Sequence, residues 1–310
     1  MRLPKLPEAL HRYAPIIVGA VVAALLVGVG VGRLSAPIKD TANPSASGTT
    51  GPPSVAPDGH IHGMGSMPGM GGAGTPGVGG QSLSESGYTL VPGRTKVSAS
   101  PKPRPWTFSI IDAEGKPVTK FTRVHTKLLH LFVVRRDMTG FQHIHPKLDA
   151  KTGRWSIDIR FDAPGTWRVI ADFAVKTSKG PVGLALGTDV TVPGEYEPRS
   201  LPKPSTNDSV DGLKASMEFK PKIGVSEPLL LTVTAHGKPA EIQHYLGAYG
   251  HLVMLRQNDL GYAHVHPDTA LDDGAIRFWA TVPSPGTYRL FIDVKVDGKV
   301  SDVQFTVAVR

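Results

Sequence analysis

Residues 130–146 read HLFVVRRDMTGFQHIHP, and 121 positions later residues 251–267 read HLVMLRQNDLGYAHVHP. Seven of the 17 aligned positions are identical, and those seven include all three histidines. The same offset carries PGTWR at 164–168 onto PGTYR at 285–289, and Asp172 onto Asp293. With a one-residue slip, GKP at 115–117 meets GKP at 237–239. Two related units follow, 84–193 and 208–310, joined by a Pro-rich polar linker at 194–207.

Each unit reads as β. Runs at 106–112, 130–136, 155–161 and 167–174 are rich in Val, Ile, Phe and Trp, with EGKP, DMTG, APGT and TSKG turns nearby. The second unit repeats this at 228–234, 251–257, 275–282, 287–294 and 300–309. Short strands at that spacing, about 100 residues per unit and no helical periodicity predict an all-β protein of two tandem immunoglobulin-like antiparallel sandwiches. The likeness is architectural, since the Cys–Trp–Cys signature is absent.

Both units carry His-x12-His-x-His-Pro: His130, His143 and His145, then His251, His264 and His266. Side chains alternate along a strand, so His143 and His145 face one way, a two-pronged arrangement suited to a divalent ion. The hairpin turn decides whether His130 joins them. A two-residue loop, Met138-Thr139, sets Phe132 opposite His145 and puts His130 on the shared face. A three-residue loop with Gly140 in a left-handed bulge reverses that parity. His125, His236 and His244 have no histidine counterpart in the other unit and are set apart as incidental. Arg135/Arg256 and Asp172/Asp293 are also paired. They read either as strand-bridging ion pairs or, for the aspartates, as carboxylates that orient a ligand histidine. PGTW and PGTY read as tight turns leading into a core aromatic.

The 310 residues contain no cysteine, which removes disulfides, thiolate zinc sites, blue-copper centres and cysteine nucleophiles together. The net charge of +8 includes +3 in residues 1–40, and no dense Lys/Arg block remains for nucleic acid. Residues 14–32 are uncharged and mostly apolar, long enough to cross a bilayer once. Arg2, Lys5 and Arg12 precede this run, favouring residues 1–13 in the cytoplasm and the body outside the membrane, with a cleaved signal peptide as the competing reading.

The stretch 33–83 reads as a disordered spacer. Within it, 41–82 holds 12 Gly, 6 Pro and a single charge, Asp58. GHIHGMGSMPGM at 59–70 contributes His60, His62, Met64, Met67 and Met70 as metal-ligand candidates. Thioethers suit Cu(I), and imidazoles suit Cu(II) and Zn(II). No HExxH, P-loop, GxGxxG or GxSxG motif occurs. The Glu that a cupin-type His-x-His site needs follows neither His145 nor His266. No acid–base pair accompanies the histidines, so a non-catalytic role is expected.

The two histidine segments resemble those of bacterial secreted or membrane-anchored cell-envelope proteins of unassigned function. More loosely, anchor, His/Met tract and β-sandwich together resemble extracytoplasmic copper-handling proteins. The resemblance implies an anchored envelope protein that binds copper, or alternatively zinc, with the membrane and an envelope protein as partners. The competing expectation is an interaction module whose histidines are internal to the fold.

Overall fold

The computed structural model describes residues 78–310 except His264. The anchor expected at 14–32 and the tract from His60 to Met70 lie outside these residues. All elements among them are strands, and each pairs antiparallel with its neighbours. No helix long and apolar enough to cross a membrane occurs among the described residues.

Period-two alternation builds the cores. In Arg104–Ile111, Trp106, Phe108 and Ile110 point inward while the residues between them are more exposed. One sheet of the first repeat runs Ser84–Glu85, Tyr88–Pro92, Arg104–Ile111, Arg154–Ile159, Lys147–Asp149. The other runs Gly180–Val192, Gly165–Thr177, Leu129–Arg135, Gln142–Ile144. Trp106, Phe108, Trp155, Trp167 and Phe173 fill the space between them.

The second repeat follows the same plan. One sheet is Asn207–Val210, Leu213–Phe219, Ser226–Ala235, Ile276–Thr281, Val265–Pro267. The other places Gly286–Val296 beside Gly250–Arg256, which pairs Tyr262–Ala263, with Lys299–Val309 on the far side of Gly286–Val296. Met254, Phe278, Tyr288 and Phe305 lie in its core.

The PGT turns deliver their aromatics as expected. Trp167 Nε1–H donates to the Ala163 carbonyl at 3.0 Å, and Tyr288 O–H to the Ser284 carbonyl at 2.9 Å. The bond spans four residues in both repeats, so each buried ring keeps its one polar group satisfied.

Leu129–Arg135 is buried at every position. Its odd-numbered residues Leu129, Leu131 and Val133 enter the core of their own sandwich, while Phe132 and Val134 face the second repeat. There they pack with Met138, Ile170, Val253, Leu255, Leu260, Tyr262 and Phe291. Full burial of a side chain of this size stabilises by about 1.5–3 kcal/mol, so this apolar layer joins the repeats. The linker is pinned to the first repeat, where Asp137 Oδ2 accepts from Arg199 N at 2.8 Å, and to the second by a bridge between Ser205 and Thr306.

Composition assigns residues 78–83 to the spacer, and the structure corrects that boundary. Gly79 exchanges two backbone bonds with Tyr262 of the second repeat, at 2.8 and 2.9 Å. Gly80 N–H donates to Ala185 O at 2.7 Å, and Gly187 N–H to Ser82 O at 2.8 Å, both tying the segment to the first repeat. This strap crosses the joint because Gly187 lacks a side chain: a Cβ there would lie 1.9 Å from the Gly80 carbonyl oxygen. Gly187→Ala is therefore expected to expel the strap while leaving both cores intact. Hydrogen exchange at Gly79, Gly80 and Gly187 should accelerate at least tenfold, with exchange in the sandwich cores unchanged.

Candidate metal centre

The hairpin after His130 settles the parity left open by the sequence. Phe132 pairs with His143, and Leu131 with Ile144. His130 therefore shares a face with His143 and His145, but the register differs by two residues from that of a two-residue loop. The physical cause lies in the turn. Asp137 binds Arg135 at 2.6 Å and accepts from Thr139 N and Oγ1, while Met138 buries itself in the joint with φ 64°. This wider turn ends at Gly140, whose φ of 65° and contact with the Trp167 ring leave no room for a side chain.

Three nitrogens converge as a result. His130 Nδ1 lies 2.9 Å from His143 Nε2 and 3.1 Å from His145 Nε2, and the ligand atoms of the set all fall within 4.8 Å of one another. Hydrogen bonds on the opposite ring edges assign the tautomers. His130 Nε2–H donates to the Val124 carbonyl at 3.0 Å, which leaves the lone pair on Nδ1. His143 Nδ1–H donates to Asp293 Oδ2 at 2.7 Å, which in the neutral ring leaves the lone pair on Nε2. With both rings neutral, two acceptors face each other at hydrogen-bonding distance, with His145 Nε2 beside them.

A cation satisfies such an arrangement. Nitrogens about 2.1 Å from a tetrahedral ion are about 3.4 Å apart, so the two short separations must open by a few tenths of an ångström and the third, within 4.8 Å, must close by up to about 1.4 Å. The distal bonds to a carboxylate and to a backbone carbonyl are those that metal-ligating histidines normally make. His130, His143 and His145 can therefore hold a metal ion.

Burial favours the neutral form of three of these imidazoles. Burial, then repulsion from His143, lowers His130 to about 2. Burial, then His143, lowers His145 to about 3, and burial lowers His251 to about 4. These rings do not need to shed protons at neutral pH before binding an ion.

The second set of histidines is described only in part. His264 lies outside the described residues, and His266 stands on Val265–Pro267, which pairs with Ile276–Thr281. His251 instead sits against the first set, its ring 6.0 Å from His143 and 6.2 Å from His130. Its Nε2–H donates to the Tyr245 carbonyl at 2.8 Å, the same bond at the same offset as that of His130 to Val124.

His125, set apart in the sequence for want of a counterpart, packs its ring 5.2 Å from His251 and 6.2 Å from His130. Its φ of 43° and the φ of 69° at Thr126 recur at Leu246 and Gly247, so both repeats keep the loop and only one puts a histidine there. Of the two readings of the paired charges, the carboxylate reading describes Asp293, whereas Arg135 and Arg256 bind Asp137 and Asp259 within their own turns. Asp172, the counterpart of Asp293, accepts from Tyr262 O–H at 3.0 Å across the joint.

Fold and site together define a tandem immunoglobulin-like β-sandwich protein with a buried histidine centre where its repeats meet. The chain belongs to the family described as Domain of unknown function (DUF8832), which it matches twice, over residues 86–184 and 208–310. No curated protein matches it.

Among solved structures, a DUF4426 family protein from Pseudomonas aeruginosa PAO1 is 13% identical with a TM-score of 0.26, over 33% of this chain and 92% of that one. The Yersinia pseudotuberculosis adhesin InvE is 13% identical with a TM-score of 0.22, over 74% of this chain and 61% of its own. Invasin, a bacterial integrin-binding protein, is 16% identical with a TM-score of 0.21, over 72% and 38%. The match thus spans less than two-thirds of either of these two proteins. None of these likenesses assigns a ligand or an activity to this chain.

Proposed function

We propose that this chain is a non-catalytic, membrane-anchored, extracytoplasmic metal-binding protein of the cell envelope, with copper as its ion and zinc as the alternative. The observation that supports this most directly is the convergence of His130 Nδ1, His143 Nε2 and His145 Nε2, with distal nitrogens of His130 and His143 already bonded to acceptors. An all-imidazole set suits copper and zinc, and divalent copper binds such ligands more tightly than zinc. The His/Met tract at 59–70 favours copper further, because its three thioethers also accept the monovalent ion. In this reading the tract captures ions and the folded centre retains them.

The test is a calorimetric titration of the full chain in detergent with Cu(II), Zn(II) and, under reducing conditions, Cu(I). One variant replaces His60, His62, Met64, Met67 and Met70 by Ala; a second replaces His130, His143 and His145. The tract variant should retain one tight site that the triple-histidine variant lacks. Equal binding by the triple-histidine variant and the unmodified chain would sink the folded-site reading. It would leave the buried histidines as structural members of the joint, in keeping with an interaction module.

A further inference from the structure

The three converging nitrogens all come from the first repeat, yet the second repeat holds one of them in place. His143 stands on Gln142–Ile144, a three-residue strand at the edge of its sheet. The carboxylate on its Nδ1 belongs to Asp293, 150 residues further along the chain, on Gly286–Val296. His130 differs, because the carbonyl that orients it belongs to its own repeat. The side chains of His143 and Asp293 are only 4% and 13% exposed, so their bond exists only while the joint is closed.

We propose that Asp293 is a positioning residue that makes ion binding conditional on docking of the second repeat, so that the bound ion and the joint form one coupled equilibrium. This inference rests on the metal reading above. With the joint open, the His143 ring turns freely and either of its nitrogens can carry the proton. With the joint closed, Asp293 fixes the ring and directs the Nε2 lone pair at His130 Nδ1. Whatever favours closure favours binding, and the ion in turn favours closure by the same factor. Phe291 belongs to the joint and touches no ligand atom of the centre; its ring stacks on Phe141 with centroids 3.9 Å apart.

The coupling is tested on the full chain with Zn(II) alone as the probe. Asp293→Ala should weaken binding 10- to 100-fold, the usual cost of losing such an outer partner. Asp293→Asn keeps an acceptor oxygen and should recover most of that loss. Phe291→Ala, with every ligand intact, should weaken binding at least threefold.

Nitrogen-15 imidazole spectra supply a readout that general destabilisation does not move. In Asp293→Ala, His143 should lose its fixed Nδ1–H tautomer while His130 keeps Nε2–H. Should Asp293→Ala fail to fold, Asp293→Asn and Phe291→Ala carry the test, the former through its spectra and the latter through its affinity. Zn(II) affinity within twofold of the unmodified chain in Asp293→Ala, or in Phe291→Ala, overturns the coupling. Absence of Zn(II) binding by the unmodified chain overturns the metal reading and this inference together.

Discussion

Acidification of the metal-free protein from pH 7 toward pH 4 is expected to unfold the first repeat cooperatively, with a midpoint between pH 4 and 5. His130, His145 and His251 fall to about 2, 3 and 4 in the folded chain, against 6.5 when exposed. Below 6.5 the unfolded chain takes up protons that the folded chain refuses, so stability drops as pH falls and continues to drop until each folded value is reached. At pH 5 this amounts to roughly 2 kcal/mol for each of the two well-buried rings, His130 and His251. His145 is partly open to solvent and contributes less. The sum approaches the whole net stability of an ordinary domain.

Trp106, Trp155 and Trp167 are buried in the first repeat, so tryptophan fluorescence reports on it directly. His251→Phe should flatten the pH profile, and saturating Zn(II) should move the midpoint to lower pH by competing with protons. A fluorescence signal constant from pH 7 to pH 4 would show that these rings are not held neutral by the fold.

His143→Ala is expected to carry the largest cost of any single substitution in the centre. It leaves Asp293 as a poorly hydrated carboxylate without its histidine, and it leaves a gap beside the Phe132 ring, whose centroid lies 5.0 Å from that of His143. Removing one partner of a buried pair typically costs about 3 kcal/mol or more. The double replacement His143→Ala with Asp293→Ala should recover a substantial part, with a coupling energy of about 1–3 kcal/mol in a denaturation cycle. Losses that add to within about 0.5 kcal/mol would mean that the two residues do not act as a pair. Metal affinity should fall by more than tenfold in both variants, since a ligand is missing from each.

How far the sequence reaches can be followed residue by residue. The repeat offset alone identified two β units, their PGT aromatics and the three histidines that converge. It did not identify Gly180–Val192 as a strand, because its Pro and three glycines mask the apolar alternation. One of those glycines, Gly187, sits where backbone, not side chain, makes the close contact with Gly80. Nor did the sequence show that His251 and Asp293 complete a centre begun in the other repeat. Repeats compared with each other reveal what is kept within each copy, whereas the Asp293 bond runs between copies. A cue lay in Leu129–Arg135, where no polar face is left for water. A strand in an antiparallel sheet with apolar residues on both sides is covered on both sides. The partner that covers it could only be another surface of similar character.

That covering surface consists of the same positions of the other repeat: Phe132 and Val253, Val134 and Leu255, and Ile170 and Phe291 stand 121 residues apart and share one apolar layer. In symmetry terms this is the contact of an isologous homodimer, drawn inside a single polypeptide. Tethering changes what such a contact must achieve. Two free subunits must find each other at cellular dilution, whereas two tethered ones meet at an effective concentration in the millimolar range. A modest apolar patch then suffices to hold them, and its middle can be given over to polar groups that would weaken a dimer of separate chains. Fusion also lets the two halves diverge, so that one copy supplies the three convergent imidazoles and the other the carboxylate bonded to one of them, His143.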